Sequence, residues 1–136
     1  MSLKEENTAF MHRWYNEVWN NSNEGLIDEM FHPECRALGL GEEPVIGSEG
    51  FKEVYRFFNA NYDNIHINVD EVFVDGDYAT TICTFTANYK PTNAPVKFCG
   101  TSITHIVNQQ ITDAWNFFDF LTLNVQIGKI NAEQLK

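Results

Sequence analysis

The sequence predicts an α+β fold of one domain, with N-terminal helices packed on a curved, mainly antiparallel sheet that encloses a pocket. Three observations carry that expectation. Apolar residues recur at helical spacing up to about residue 60, and with a period of two from Ile65 onward. Helices gathered ahead of a run of strands segregate from them rather than alternate with them. The 136 residues suit one domain, and a composition 43% hydrophobic and 14% aromatic suffices for a sizeable core or an aromatic-lined cavity.

The elements follow in order. Residues 4–20 carry Phe10, Met11, Trp14, Tyr15, Val18 and Trp19 on two adjacent helical rows, which makes an amphipathic helix with an aromatic stripe. The run Asn20-Asn21-Ser22-Asn23 ends it and caps a second helix over about 24–31, carrying Leu26, Ile27, Met30 and Phe31. His32-Pro33 stops that helix, because a proline disfavours helical backbone in the residue before it. A short strand is expected over 35–40, followed by a loop through the string GLGEEPVIG. Ser48 then caps a helix reaching about Ala60, with Phe51, Val54, Tyr55 and Phe58 on one face.

From Ile65 the residues Ile65, Ile67 and Val69 alternate with His66, Asn68 and Asp70, and Asp75-Gly76 marks a hairpin. The return strand runs from Tyr78 to Lys90. Pro91 to Pro95 form a loop, and Val96 to Val107 a further strand. Asn108-Gln109 turns the chain into a last strand from Ile111 to about Val125. No internal repeat or linker is visible.

Composition excludes several function classes. The net charge is 9 − 19 = −10, with no run of Lys or Arg, so nucleic acid and anionic membranes are not expected partners. No apolar leader or long apolar span is present, so a cytoplasmic location is expected. Cys35, Cys83 and Cys99 are odd in number and widely spaced, which argues against a disulfide framework. His32 and Cys35 form the one close His/Cys pair, and with no second pair to complete a site no metal is expected. Glycine-rich phosphate loops and the G-x-S-x-G elbow are both lacking, so no nucleotide cofactor is called for.

The string DAWNFFDF at 113–120 sets an acid, Asp119, among Trp115, Phe117, Phe118 and Phe120. A carboxylate in an apolar pocket has its pKa raised towards neutrality and becomes a general acid or base. The alternative is an Asp119 that points to water while the aromatics are buried. Strand pairing bears on the choice. If Val107 opposes Gln110, Asp119 opposes Phe98 and Trp115 opposes Ser102, so Asp119, Trp115 and Phe117 share a face with Ser102. Asn116 then lies on the other face with His105. A bulge would exchange the two sets. Two rival polar sets therefore stand: Asp119 with Ser102, and Asn116 with His105.

Several strings, in this order and spacing, resemble the SnoaL-like polyketide cyclases of the nuclear-transport-factor-2-like superfamily. They are WYNEVWN (14–20), GSEGFK (47–52), FCGTS (98–102), ITDAW (111–115), DFLTL (119–123) and QIG (126–128). The resemblance spans about residues 7–128. It implies a cone: long helices on a strongly bent sheet with a deep cavity open at one end. It also implies cofactor-independent acid–base chemistry by carboxylates in an apolar pocket, in a superfamily of cyclases, isomerases, dehydratases, epoxide hydrolases and non-catalytic binding proteins. In the cyclases the acid/base Asp is expected directly after the last-strand Trp, where this chain has Asn116. Asn hydrogen-bonds a carbonyl but exchanges no proton at neutral pH.

The expected catalytic residues are thus Asp119, as base, and His105, as acid or carboxylate partner. The expected substrate-binding set is Tyr15, whose hydroxyl can meet a carbonyl, with Trp19, Phe58, Ser102, Trp115, Asn116 and Phe117. The partner is a small hydrophobic ligand carrying a carbonyl. Two functions fit: a cyclase-, isomerase- or dehydratase-like enzyme, or a binding or dimerisation module without catalysis. A homodimer joined through the outer sheet faces is expected, because apolar residues such as Ile82 and Ile103 occupy both faces of the last strands.

Overall fold

The computed structural model describes residues 1–136. Helix α1 (Leu3–Arg13) starts in a capping box, where Ser2 accepts from the Glu5 amide and the Glu5 side chain accepts from Ser2. It continues without a break into a π-helical segment, Trp14–Asn20. There the backbone bonds reach five residues, as from Asn21 N–H to Asn16 O at 2.9 Å. Trp14 and Trp19, five apart, both pack on Phe51, with ring centroids at 5.2 and 6.2 Å. The aromatic stripe is therefore carried by one rod that changes its winding at Trp14.

Helix α2 (Leu26–Met30) passes directly into strand β1 (Phe31–Leu38). The strand starts earlier than the 35–40 expected and includes Pro33. The proline is tolerated because the pairing of β1 skips between Phe31 and Arg36, so no ladder bond requires its missing N–H. A loop and the short strand β2 (Val45–Ile46) lead to α3 (Gly47–Asn61). The cap of α3 is Ile46, and Ser48 lies inside the first turn, buried and making no cap bond, which corrects the Ser48 expectation.

Four long strands follow as a meander: β3 (Tyr62–Asp75), β4 (Tyr78–Tyr89), β5 (Ala94–Val107) and β6 (Gln110–Phe118). The turn between β5 and β6 holds both Asn108 and Gln109 at positive φ, 50° and 59°, the twist a two-residue hairpin needs. The sheet order is β2-β1-β6-β5-β4-β3, antiparallel throughout except for the parallel pair β1–β6. The sheet stays open. Register shifts in β3–β4 and β5–β6 bend it around the helices, and the core lies in that concavity. The last strand ends at Phe118, not near Val125. Asp119 instead caps a helix, α4 (Phe120–Gln126), by accepting from the Thr122 amide at 3.0 Å and its hydroxyl at 2.6 Å. No helix is long and apolar enough to cross a membrane.

Candidate functional site

The concave face of the sheet and the helices enclose a cavity of about 70 Å³. Its wall is built mainly by aromatic rings from three elements: Trp14 and Trp19 of the π-helical segment, Phe51 and Phe58 of α3, and Phe85 and Phe98 of the sheet. Polar groups enter at Tyr15, Ser102, Thr104 and Asn116. No charged residue lines the cavity.

One bulge decides which residues face inward. Val107 opposes Gln110 and Ile106 opposes Ile111, as a two-residue turn requires. His105 then opposes Asp113, so Thr112 is an extra residue on β6. Its hydroxyl is taken up locally by the backbone carbonyl of His105 at 3.2 Å and the His105 ring at 3.1 Å. Beyond this point every β6 side chain has changed face. Ser102 opposes Asn116 and Thr101 opposes Phe117. Asn116 and Phe118 enter the cavity, while Trp115 and Phe117 turn out.

The inward polar groups form a row across three strands, because Thr81 of β4 opposes Ser102 and Ser102 opposes Asn116. Ser102 Oγ lies 2.8 Å from the Tyr15 hydroxyl. Burial, with the Cys83 thiol close by, holds the Tyr15 pKa well above the usual phenol range, so the hydroxyl keeps its proton. Burial likewise pushes the Cys83 thiol up to about 12, which leaves it protonated and inert. Asn116 Nδ2 donates to the Leu38 carbonyl at 2.9 Å. The next residue, Gly39, lies at φ +88°, where a Cβ would collide with the Asn116 backbone carbonyl. The Thr81 hydroxyl is buried and has no hydrogen-bond partner.

Tyr15, Trp19, Phe58, Ser102 and Asn116 line the cavity; Asp119, His105, Trp115 and Phe117 do not. Asp119 is the largest correction. Its carboxylate is spent on the α4 cap at the surface, and its pKa is lowered, chiefly by the Thr122 hydroxyl and then the Thr122 amide, rather than raised. His105 is on the outer face. Its Nε2 lies 2.8 Å from Asp77 Oδ2 and its ring stacks on Tyr78 at 4.5 Å. The Asn116–His105 set is therefore separated as well, because His105 sits at the bulge and Asn116 beyond it. Phe117 stands 64% exposed. Most of the twenty lining residues were outside the expected set, Thr104 and Phe118 among them. The alternation of β5 placed Thr104 on the face of Ser102, and the bulge alone revealed Phe118.

The family model described as SnoaL-like polyketide cyclase matches residues 9–127. Among solved structures, a candidate SnoaL-like polyketide cyclase from Jannaschia sp. CCS1 superposes with a TM-score of 0.85 at 16% identity, covering 96% of both chains. A candidate polyketide cyclase from Bacillus cereus is 28% identical, with a TM-score of 0.79 over 89% of this chain and 79% of that one. TsrD from Streptomyces laurentii reaches 0.79 at 21% identity, over 90% and 95% of the two chains. No curated protein matches the sequence at a significant level.

Proposed function

Because this chain belongs to the SnoaL-like polyketide cyclase family, we propose that it takes a small, neutral, mainly apolar carbonyl compound into the cavity and activates the carbonyl by hydrogen bonding. The carrying observation is the Tyr15–Ser102 hydroxyl pair, 2.8 Å apart, set in an aromatic wall that carries no charge. Donors fixed in advance at low dielectric stabilise a developing oxyanion far better than water does. A charged ligand is disfavoured, since it would be desolvated with no counter-charge in the wall.

The absence of any carboxylate or imidazole from the lining limits the chemistry. The reaction that suits it is an intramolecular carbon–carbon bond formation in which an enol of the substrate attacks the held carbonyl. The enol hydroxyl gives up a proton as the new alkoxide gains one, and the Tyr15–Ser102 pair relays it. No external base is then needed. The similarity to the Bacillus cereus protein supports such a cyclisation class. A second reading, a binding module without catalysis, is favoured by the same lack of a titrating group near neutral pH.

The test is the infrared carbonyl stretch of 13C-labelled 2-pentanone bound to the protein. A shift to lower frequency that disappears in Tyr15→Phe/Ser102→Ala is the expected result. An unshifted band, or one that survives the double substitution, refutes carbonyl activation. Turnover of a 1,3-diketone that carries a pendant ketone, and so is already enolic in solution, to its cyclic aldol separates the enzyme from the binding module.

A further inference from the structure

Asn116 occupies the cavity in an orientation fixed from outside it. A backbone carbonyl only accepts, so the atom that meets the Leu38 oxygen at 2.9 Å is the amide nitrogen. Oδ1 consequently faces away from β1, and no donor of the protein reaches it. The cavity thus offers an acceptor at Asn116. It offers a donor from the Tyr15–Ser102 pair, because their mutual contact uses one of the two hydroxyl protons. Ser102 and Asn116 are directly opposed, and opposed residues hold their Cβ atoms about 5 Å apart.

We infer that Asn116 is a specificity-determining residue that accepts a hydrogen bond from a hydroxyl group of the ligand, so that the cavity selects 3-hydroxy carbonyl compounds over simple ketones. The two ligand oxygens are those a 3-hydroxy ketone presents: the carbonyl oxygen to the Tyr15–Ser102 pair, the hydroxyl to Asn116 Oδ1. A side chain that cannot titrate at neutral pH serves this purpose without a charge to desolvate. This inference rests on the carbonyl-holding reading above, and it assigns to Asn116 a recognition role rather than a proton transfer.

The experiment compares two ligands of equal heavy-atom count, 4-hydroxy-2-butanone and 2-pentanone, by amide chemical-shift titration of the whole chain. A hydrogen bond of ordinary net strength, about 1 kcal/mol, predicts that the hydroxy ketone binds about 5-fold tighter. In Asn116→Leu the order should reverse, because the hydroxyl is then desolvated without an acceptor. The ether 4-methoxy-2-butanone, which cannot donate, should show no advantage over 2-pentanone. If 2-pentanone binds and the hydroxyl adds nothing in the unsubstituted protein, the inference is overturned while carbonyl binding stands. If neither ketone binds, the carbonyl-holding reading fails and takes this inference with it. The comparison on the unsubstituted chain decides the matter even where Asn116→Leu does not fold.

Discussion

Ser102 opposes Asn116 across the β5–β6 ladder. Without the extra residue Thr112 it would oppose Trp115, and an indole would occupy the place of the amide. A side-chain period of two makes a single inserted residue exchange the two faces of everything beyond it. The Ser102–Asn116 pair in the cavity and the outward Trp115 and Phe117 are therefore two results of one bulge.

Asn116→Asp restores a carboxylate at the position the family resemblance assigns to an acid. Desolvation by the aromatic wall should raise its folded-state pKa above the unfolded value of about 3.9. An acid whose folded pKa is raised binds more protons in the folded state. The variant should therefore match the parent in acid and lose stability as the pH rises from about 4 through the folded pKa. The loss should be about 1.4 kcal/mol for each pH unit separating the folded from the unfolded pKa. Urea unfolding at several pH values measures this. Above the folded pKa the carboxylate is a base within the cavity, and deuterium exchange alpha to the carbonyl of 2-pentanone should accelerate by about 10²-fold or more. A flat stability profile would mean that residue 116 is solvated.

Asp119→Asn should leave 2-pentanone binding unchanged, because Asp119 caps α4 at the surface and does not touch the cavity. Asp119→Ala should loosen α4, seen as faster amide exchange over Phe120–Gln126. The lowered pKa fixes the sign of the acid response. The carboxylate's contribution is present above its ordinary value of 3.8 and is lost as the pH falls through the lower folded value. Asp119→Asn removes this dependence and keeps an acceptor for the Thr122 amide. Loss of ketone binding in Asp119→Asn would return the residue to the site.

Thr81→Val replaces a buried hydroxyl that has no partner with an isosteric methyl. A desolvated, unpaired hydroxyl is destabilising, so the midpoint in urea should rise, by about 1 kcal/mol in stability. A decrease instead would show that the hydroxyl is bonded in solution, with an internal water as its partner.

Phe117→Glu tests the proposed homodimer. Phe73, Tyr78, Ile82 and Phe117 are exposed apolar residues of the sheet, Phe117 by 64%. Exposed apolar side chains on the outer sheet face are what the homodimer expectation rests on. Light scattering should give twice the chain mass for the parent and the chain mass for Phe117→Glu. A monomeric parent at micromolar concentration rules the dimer out.

Trp115 and Phe117, expected in the cavity lining, turn out of it, whereas the α+β class, the order of helices before strands and the aromatic rows of the helices were legible in the amino-acid order alone. Those features are written in local periodicity: the rows Phe10–Trp14 and Tyr15–Trp19, and the alternation from Ile65. Tyr15 was named from the aromatic row of its helix, while the inward face of Ser102 was left open between two rival polar sets. The choice between Asp119 and Asn116 was made by the assembled sheet. A bulge has no sequence signature of its own, and Thr112 looks like any strand residue until its hydroxyl is seen bonded to His105. The end of β6 was hidden for a related reason. DFLTL serves equally as a strand or as a capped helix turn, and the choice falls to the helix because Asp119 meets Thr122 while Phe120 and Leu123 find the core. Local propensity sets what each segment can be; pairing register and burial, which couple residues distant in sequence, set which side chains meet.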